Sequence, residues 1–178
     1  MKLLILSGNP KSDGLCASLE AAVANGAKSS GAEVETLTFD RLTRCRVCKD
    51  GWGTCREEHR CAFGGDGFDA AQETVRGADV YAIVTPVYWA EVTESLKSFL
   101  DRLRRCEFMT GALQGKKVLL VASAGGSGNG ILTALEQLDR FCRHTGAEIY
   151  DYIGVNRRNA EYKRDAAFAA AKQLTVDN

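Results

Sequence analysis

The sequence is poor in the residues on which several protein classes depend. Two prolines and two histidines occur among its 178 residues. So few histidines leave little scope for imidazole-based acid–base catalysis, and each proline marks a local constraint on the backbone. Basic and acidic residues number 23 each, so the formal net charge is zero. No bulk field then draws the chain to nucleic acid or to an anionic membrane surface. No apolar run approaches the roughly 20 residues of a transmembrane helix. The N-terminal run Met1-Lys2-Leu3-Leu4-Ile5-Leu6 stops at Ser7-Gly8, too short for the apolar region of a signal peptide. A cytoplasmic location is expected. There is no internal repeat and no low-complexity linker, and the length suits a single domain over residues 1–178 with a substantial core.

What the chain does have is an alternation of strand and helix patterns. Lys2–Leu6 is a short apolar run, and Leu15, Leu19 and Val23 follow at helical spacing. Glu33–Thr38 reads as a second strand, Val80–Thr85 as a buried third strand ended by Pro86, Lys117–Ser123 as a fourth and Glu148–Val155 as a fifth. Between and after them lie helical stripes: Val92, Leu96, Phe99, Leu100 and Leu103; Ile131, Leu135, Leu138 and Phe141; and Ala160–Leu174. Strands that are continuously apolar belong to parallel sheets covered on both faces. The expected fold is therefore α/β: a doubly wound, five-stranded parallel sheet with helices on both faces. Ligands of such sheets bind beyond the carboxyl ends of the strands, so the loops after strands one, three and four carry the candidate chemistry.

The first loop, Ser7-Gly8-Asn9-Pro10-Lys11-Ser12-Asp13-Gly14, opens a helix. A helix N-terminus offers unpaired N–H groups and partial positive charge, which suit a phosphate. Five residues separate Gly8 from Gly14 and Leu15 follows, so the segment is not a P-loop, and the dinucleotide fingerprint is absent too. An ordinary turn capped by Ser12 or Asp13 is the competing reading. The third loop, Thr85-Pro86-Val87-Tyr88-Trp89, offers backbone N–H groups and aromatic walls to a flat heteroaromatic ligand such as a flavin; both aromatics could equally be core. The fourth, Ser123-Ala124-Gly125-Gly126-Ser127-Gly128-Asn129-Gly130, allows close backbone approach to a ligand.

Together these loops resemble the NADPH-dependent FMN reductase family of the flavodoxin-like superfamily, and within it the iron–sulfur flavoprotein branch. The family's Gly-Ser-Pro-Arg-x-x-Gly-Asn-Thr/Ser loop is matched by Gly8–Cys16, and its Thr-Pro-Val-Tyr-Trp segment by Thr85–Trp89. Its Leu-Lys-x-Phe-x-Asp-Arg segment is matched by Leu96–Arg102, and its Gly-Gly turn by Gly125-Gly126. The resemblance implies a flavodoxin-like strand order 2-1-3-4-5 and an FMN cofactor. It places the phosphate at Ser7, Asn9, Pro10, Lys11, Ser12, Gly14, Leu15 and Cys16. The isoalloxazine ring falls at Pro86, Val87, Tyr88, Trp89, Ser123, Gly125 and Gly126. It also implies hydride transfer from NAD(P)H to FMN and on to a flavin, quinone or other small-molecule acceptor, in a homodimer or homotetramer with FMN near a subunit boundary. Three positions depart from the pattern: Asn9 for Ser, Lys11 for Arg and Cys16 for a hydroxyl residue. Lysine lacks the guanidinium fork, and a thiol is a poor donor to phosphate, so FMN is expected to be held less tightly. Within Leu96–Arg102, Phe99 and Leu100 are expected to pack, and Asp101 and Arg102 to pair or to meet a partner subunit.

Seven cysteines, an odd number, argue against a disulfide framework. Cys45, Cys48, Cys55 and Cys61 fall in a long polar insertion at about 41–67, with two, six and five intervening residues. Four thiolates suit a 4Fe–4S cluster or a structural zinc; reduced thiols on a mobile lid without metal are the third possibility. The iron–sulfur branch has two residues between its second and third cysteines where this chain has six, including Gly51-Trp52-Gly53, which allow a bend. His59 is an alternative ligand. Arg41, Arg44, Arg46, Lys49, Arg56 and Arg60 make the insertion basic, a charge that attracts an anionic donor such as NAD(P)H or is simply solvated. Cys106 and Cys142 fall on apolar helical faces and read as small core residues. No catalytic acid, base or nucleophile is assigned. A carrier using FMN, with or without a cluster and without nicotinamide turnover, is the alternative function.

Overall fold

The computed structural model describes residues 1–46, 48 and 53–177. The first apolar run becomes β1 (Lys2–Ser7), and α1 (Gly14–Ser29) and β2 (Glu33–Leu37) follow. The insertion contains the single turn α2 (Thr54–Glu57) and leads into α3 (Phe68–Arg76). Then come β3 (Val80–Tyr88), β4 (Glu91–Val92), α4 (Glu94–Cys106), β5 (Lys117–Ala124), α5 (Ile131–Thr145), β6 (Glu148–Asn156) and α6 (Ala160–Leu174). The sheet runs β2-β1-β3-β5-β6, with every pairing along this path parallel. This is the expected five-strand order, with β4 added as a short antiparallel partner of β3. No helix among the described residues is long and apolar enough to cross a membrane.

Strand alternation splits the core into two layers. Leu3, Ile5, Val80, Ala82, Val84, Leu119 and Val121 face α1 and α6, while Leu4, Leu6, Tyr81, Ile83, Val118 and Leu120 face α3, α4 and α5. Burial on both sides is why these strands read as unbroken apolar runs. α3 has no counterpart in the sequence expectation, yet it buries Phe68, Ala71, Gln72 and Val75 at i, i+3, i+4 and i+7; the polar Gln72 obscures the stripe.

One expectation about β3 changes. The strand does not end at Pro86 but continues to Tyr88, with Pro86 opposite Ser123 of β5. Gly8 N–H donates to Val84 O on the β1 side. Two residues on, Pro86 faces that same side, where β1 has already ended, so its missing N–H removes no ladder bond. The chain then reverses through Trp89 and Ala90, with φ of 52° and 66°, between the pairs Val87–Val92 and Tyr88–Glu91. Two central residues with positive φ make the hairpin turn that matches strand twist, here without the usual glycine. The tip rests on Gly130, where a Cβ would overlap Ala90 and where φ is 82°.

Helices α1 and α6 cross closely at Gly26, where an added Cβ would overlap the carbonyl oxygen of Phe168. Gly26→Ala should therefore lower stability by about 1–3 kcal/mol, against the roughly 1 kcal/mol that alanine gains in a free helix. A urea-unfolding midpoint that rises instead would refute this packing.

Candidate functional site

Parallel pairing sets the carboxyl ends of β1, β3 and β5 side by side. Ser7 lies opposite Val84, and Pro86 opposite Ser123. The three sequence-selected loops leave this one edge, at the point between β1 and β3 where the strand order reverses.

The first loop is locked from below. Thr93 Oγ1, at the start of α4, donates to Gly8 O at 2.7 Å. Ser7 Oγ accepts from Asn9 N–H at 3.2 Å and donates to the Glu20 carboxylate of α1. Asn9 Oδ1 accepts from Lys11 N–H at 3.2 Å. Asn9 is buried, and its Nδ2 has no well-formed hydrogen bond, although the amide lies close enough to Glu20 to favour the ionised carboxylate. Asp13 occupies the N-cap of α1 without a side-chain cap bond. The first-turn donors of α1, from Gly14, Leu15 and Cys16, therefore lack the cap that the competing reading supplied. Pro10, Lys11, Ser12 and Gly14 are exposed and Leu15 is half-buried. Cys16 is buried beneath them against Ser123; burial first, and the Glu20 charge second, push its thiol up to about 12.

The other two loops form an open ledge. Pro86 and Val87 are half-buried, Tyr88 is exposed, and Trp89 is 99 % exposed, so neither aromatic is core. Gly125 and Gly126 are exposed, and a Cβ on either would meet nothing within 4 Å. Packing within the chain does not call for glycine at these two positions, whereas a ring lying against the backbone would. Ser123 is buried at the base of this loop.

The insertion is organised by Arg102, which is 1 % exposed. Its guanidinium donates from Nη1 to Asp66 Oδ2 at 2.8 Å and Thr43 O at 2.8 Å. From Nη2 it donates to Asp66 Oδ1 at 3.0 Å, Phe63 O at 3.0 Å and Cys61 Sγ at 3.4 Å. Asp101 pairs with Lys97 instead, which corrects the expected Asp101–Arg102 pair. Behind Arg102, Cys45, Cys48, Cys55 and Cys61 line one pocket of ≈ 20 Å³ together with Arg105 and Cys106. Cys106 is thus both core and pocket wall, a role its apolar helical face did not signal. Its thiol is pushed up to about 12 by burial and by the charges of Cys61 and Cys55. Cys45 is raised by burial against the opposing charge of Arg105. His59 lies off this wall, with Nδ1 hydrogen-bonded to Cys106 O at 3.1 Å. Among the described residues, no three His, Cys, Asp or Glu side chains are arranged to hold a metal ion. Lys49, Gly51 and Trp52 lie outside the described residues.

A sheet of this order with an uncapped helix N-terminus and two open loops at its switch point defines a flavodoxin-like protein. Solved structures share that fold: an NAD(P)H:quinone oxidoreductase from Methanothermobacter marburgensis (TM-score 0.75, 18 % identity, 98 % of this chain and 96 % of the other) and an archaeal flavodoxin (TM-score 0.66, 14 % identity, 99 % and 98 %). The chain belongs to the NADPH-dependent FMN reductase family, whose model matches residues 1–159. It is 33 % identical to an iron–sulfur flavoprotein of Methanosarcina thermophila over 135 residues, 73 % of this chain and 66 % of that protein. It is 30 % identical to one from Methanocaldococcus jannaschii over 145 residues, 79 % and 71 % of the two chains. The chain thus spans about two thirds of the length of these curated relatives.

The Asp66–Arg102 pair has a pH signature. Burial alone would raise the Asp66 pKa, but hydrogen bonds from Arg102, Thr43 and Phe68 outweigh it and hold the carboxyl well below the usual range. A depressed folded-state pKa gives stability that is present above the unfolded value of about 3.9 and is lost as pH falls below it. Asp66→Asn should cost about 3–5 kcal/mol at neutral pH by leaving Arg102 unpaired, and should flatten the loss of stability below about pH 4. Urea midpoints at neutral and acid pH check both.

Proposed function

We propose that this protein is an FMN-dependent NAD(P)H oxidoreductase with FMN lying across the β1, β3 and β5 loops. The observation that carries this reading is the buried, unpaired Asn9 Nδ2 beside the uncapped N-terminus of α1. A buried amide donor without a partner is costly, and a phosphate at that helix end supplies one. Lys11 adds a mobile positive charge. The turn from Val87 to Trp89 would meet the ring with backbone N–H groups and with the exposed Tyr88 and Trp89 side chains, and Gly125-Gly126 would leave room for its plane. When bound, FMN supplies hydride acceptance and electron release; the chain's own part is to hold and orient the nucleotide and leave one face open to the nicotinamide. Exposed Arg41, Arg44, Arg46, Arg56 and Arg60 favour approach of an anionic donor. The acceptor is a small molecule such as a free flavin or quinone. The exposed Trp89 fits a homodimer or homotetramer in which a second copy adjoins the ring.

A second reading is favoured by one observation. Cys45, Cys48, Cys55 and Cys61 line a single pocket beside three arginines, Arg46, Arg102 and Arg105. Four thiolates are the donor type of a 4Fe–4S centre, and drawn closer together these would hold one in an electron carrier that has no nicotinamide turnover. Structural zinc is the other occupant such thiolates suit.

Protein purified anaerobically separates these readings. Saturable FMN uptake with NADH or NADPH oxidation supports the first. Stoichiometric iron and acid-labile sulfide without nicotinamide oxidation support the second, and absence of FMN uptake overturns both. Asn9→Ala should weaken FMN binding about tenfold or more while leaving unfolding stability within about 1 kcal/mol, as read from flavin-fluorescence titration and a urea curve.

A further inference from the structure

Glu20 is a half-buried carboxylate that hydride chemistry leaves unused. It sits one helical turn below Cys16 on α1, on the same face of the helix. Ser7 Oγ bridges it to Asn9 N–H, so two hydrogen bonds separate its carboxylate from the backbone of the phosphate loop. Among the described residues no cation pairs with it. Its neighbours are neutral: Ser7 on β1, Asn9 in the loop, and Cys16 on α1 with Ser123 of β5 behind it. Cys16 keeps its proton because burial and the Glu20 charge hold the thiol near 12. Lys11, the only lysine or arginine between Ser7 and Gly14, is exposed. The loop's own charges are Lys11 and the N-cap Asp13, and beneath it Glu20 adds a carboxylate without a paired cation where the ligand brings two more negative charges.

We infer that FMN binding is linked to protonation of Glu20: the nucleotide binds with partial uptake of a solvent proton by this carboxylate and is held less tightly once that proton is lost. The inference rests on the flavin reading above. It makes FMN affinity fall as pH rises through the titration of Glu20. Burial raises the Glu20 pKa, against smaller opposing effects of Ser7 and Asn9, which moves the switch from the ordinary carboxylate range toward neutrality. An ionised carboxylate two hydrogen bonds from the phosphate loop weakens binding of a phosphate dianion by about tenfold.

Titration of the whole protein with FMN and with riboflavin at about pH 5.5 and pH 8 tests this, using wild type and Glu20→Gln, which keeps an acceptor for Ser7. The FMN Kd of wild type should rise about tenfold relative to the variant between the two pH values. Riboflavin, which has no phosphate, should bind both proteins alike. Calorimetry of wild type near pH 7 in two buffers of different ionisation enthalpy should show net proton uptake with FMN and none with riboflavin. The phosphate's own titration gives proton release instead. Equal pH dependence in both proteins, or proton release with FMN, overturns the role of Glu20 and leaves the flavin reading standing. Failure of wild type to bind FMN at either pH overturns both.

Discussion

The structure depends on burying the β1–β3 pair on both faces. Leu3 to Leu6 and Val80 to Val84 have no exposed side to spare, so α1 and α6 must cover one face and α3, α4 and α5 the other before the strands are stable. That requirement fixes parallel pairing, because the covering helices, apart from the terminal α6, are the crossovers between strands. It also fixes where the chain can be irregular. The carboxyl ends of β1, β3 and β5 are adjacent, and the loops that leave them are exposed at Pro10 to Gly14, Tyr88 to Ala90 and Gly125 to Ser127. The candidate ligand edge is a by-product of how the core closes.

The cysteine insertion obeys a different logic. It has little apolar surface of its own, and one buried cation holds it in place. Arg102 spends its donors on Asp66, on two backbone carbonyls and on Cys61, and its guanidinium carbon lies 4.1 Å from the centre of the Phe68 ring. A buried ion pair is weak evidence of net stability but strong evidence of a specified conformation, since removing either partner strands the other. The same residue therefore defines the shape of the thiol pocket and ties it to α4.

Much of this was legible in the sequence because strand and helix periods differ. Lys2–Leu6 and Lys117–Ser123 were recognisable as buried strands, and the Leu96, Phe99, Leu100 and Leu103 stripe as a helix. The family followed from short segments around Gly8, Pro86 and Gly125. Less was legible where neighbours decide. α3 was hidden by Gln72, whose side chain is buried because Glu107 and the His59 carbonyl accept its hydrogen bonds. Pro86 read as a terminator because a sequence does not say which side of a strand lacks a partner. Asp101 and Arg102 are adjacent in sequence but point to different surroundings, so proximity along the chain gave the wrong pair. Glu20, in a helix pattern like any other, carries no local sign that Ser7 and Asn9 close over it.

The reverse turn at Trp89-Ala90 has a mechanical corollary. Its tip touches the backbone at Gly130, which begins α5 at the far end of the glycine loop. The two walls of the ledge thus meet at Gly130, against the Ala90 backbone, with the Ala90 methyl and Val87 Cγ1 beside it. The Trp89 indole, 99 % exposed, takes no part in this contact, so its exchange leaves the contact in place. Selectivity for what stacks there can drift by surface substitution without reopening the question of how the slot is built.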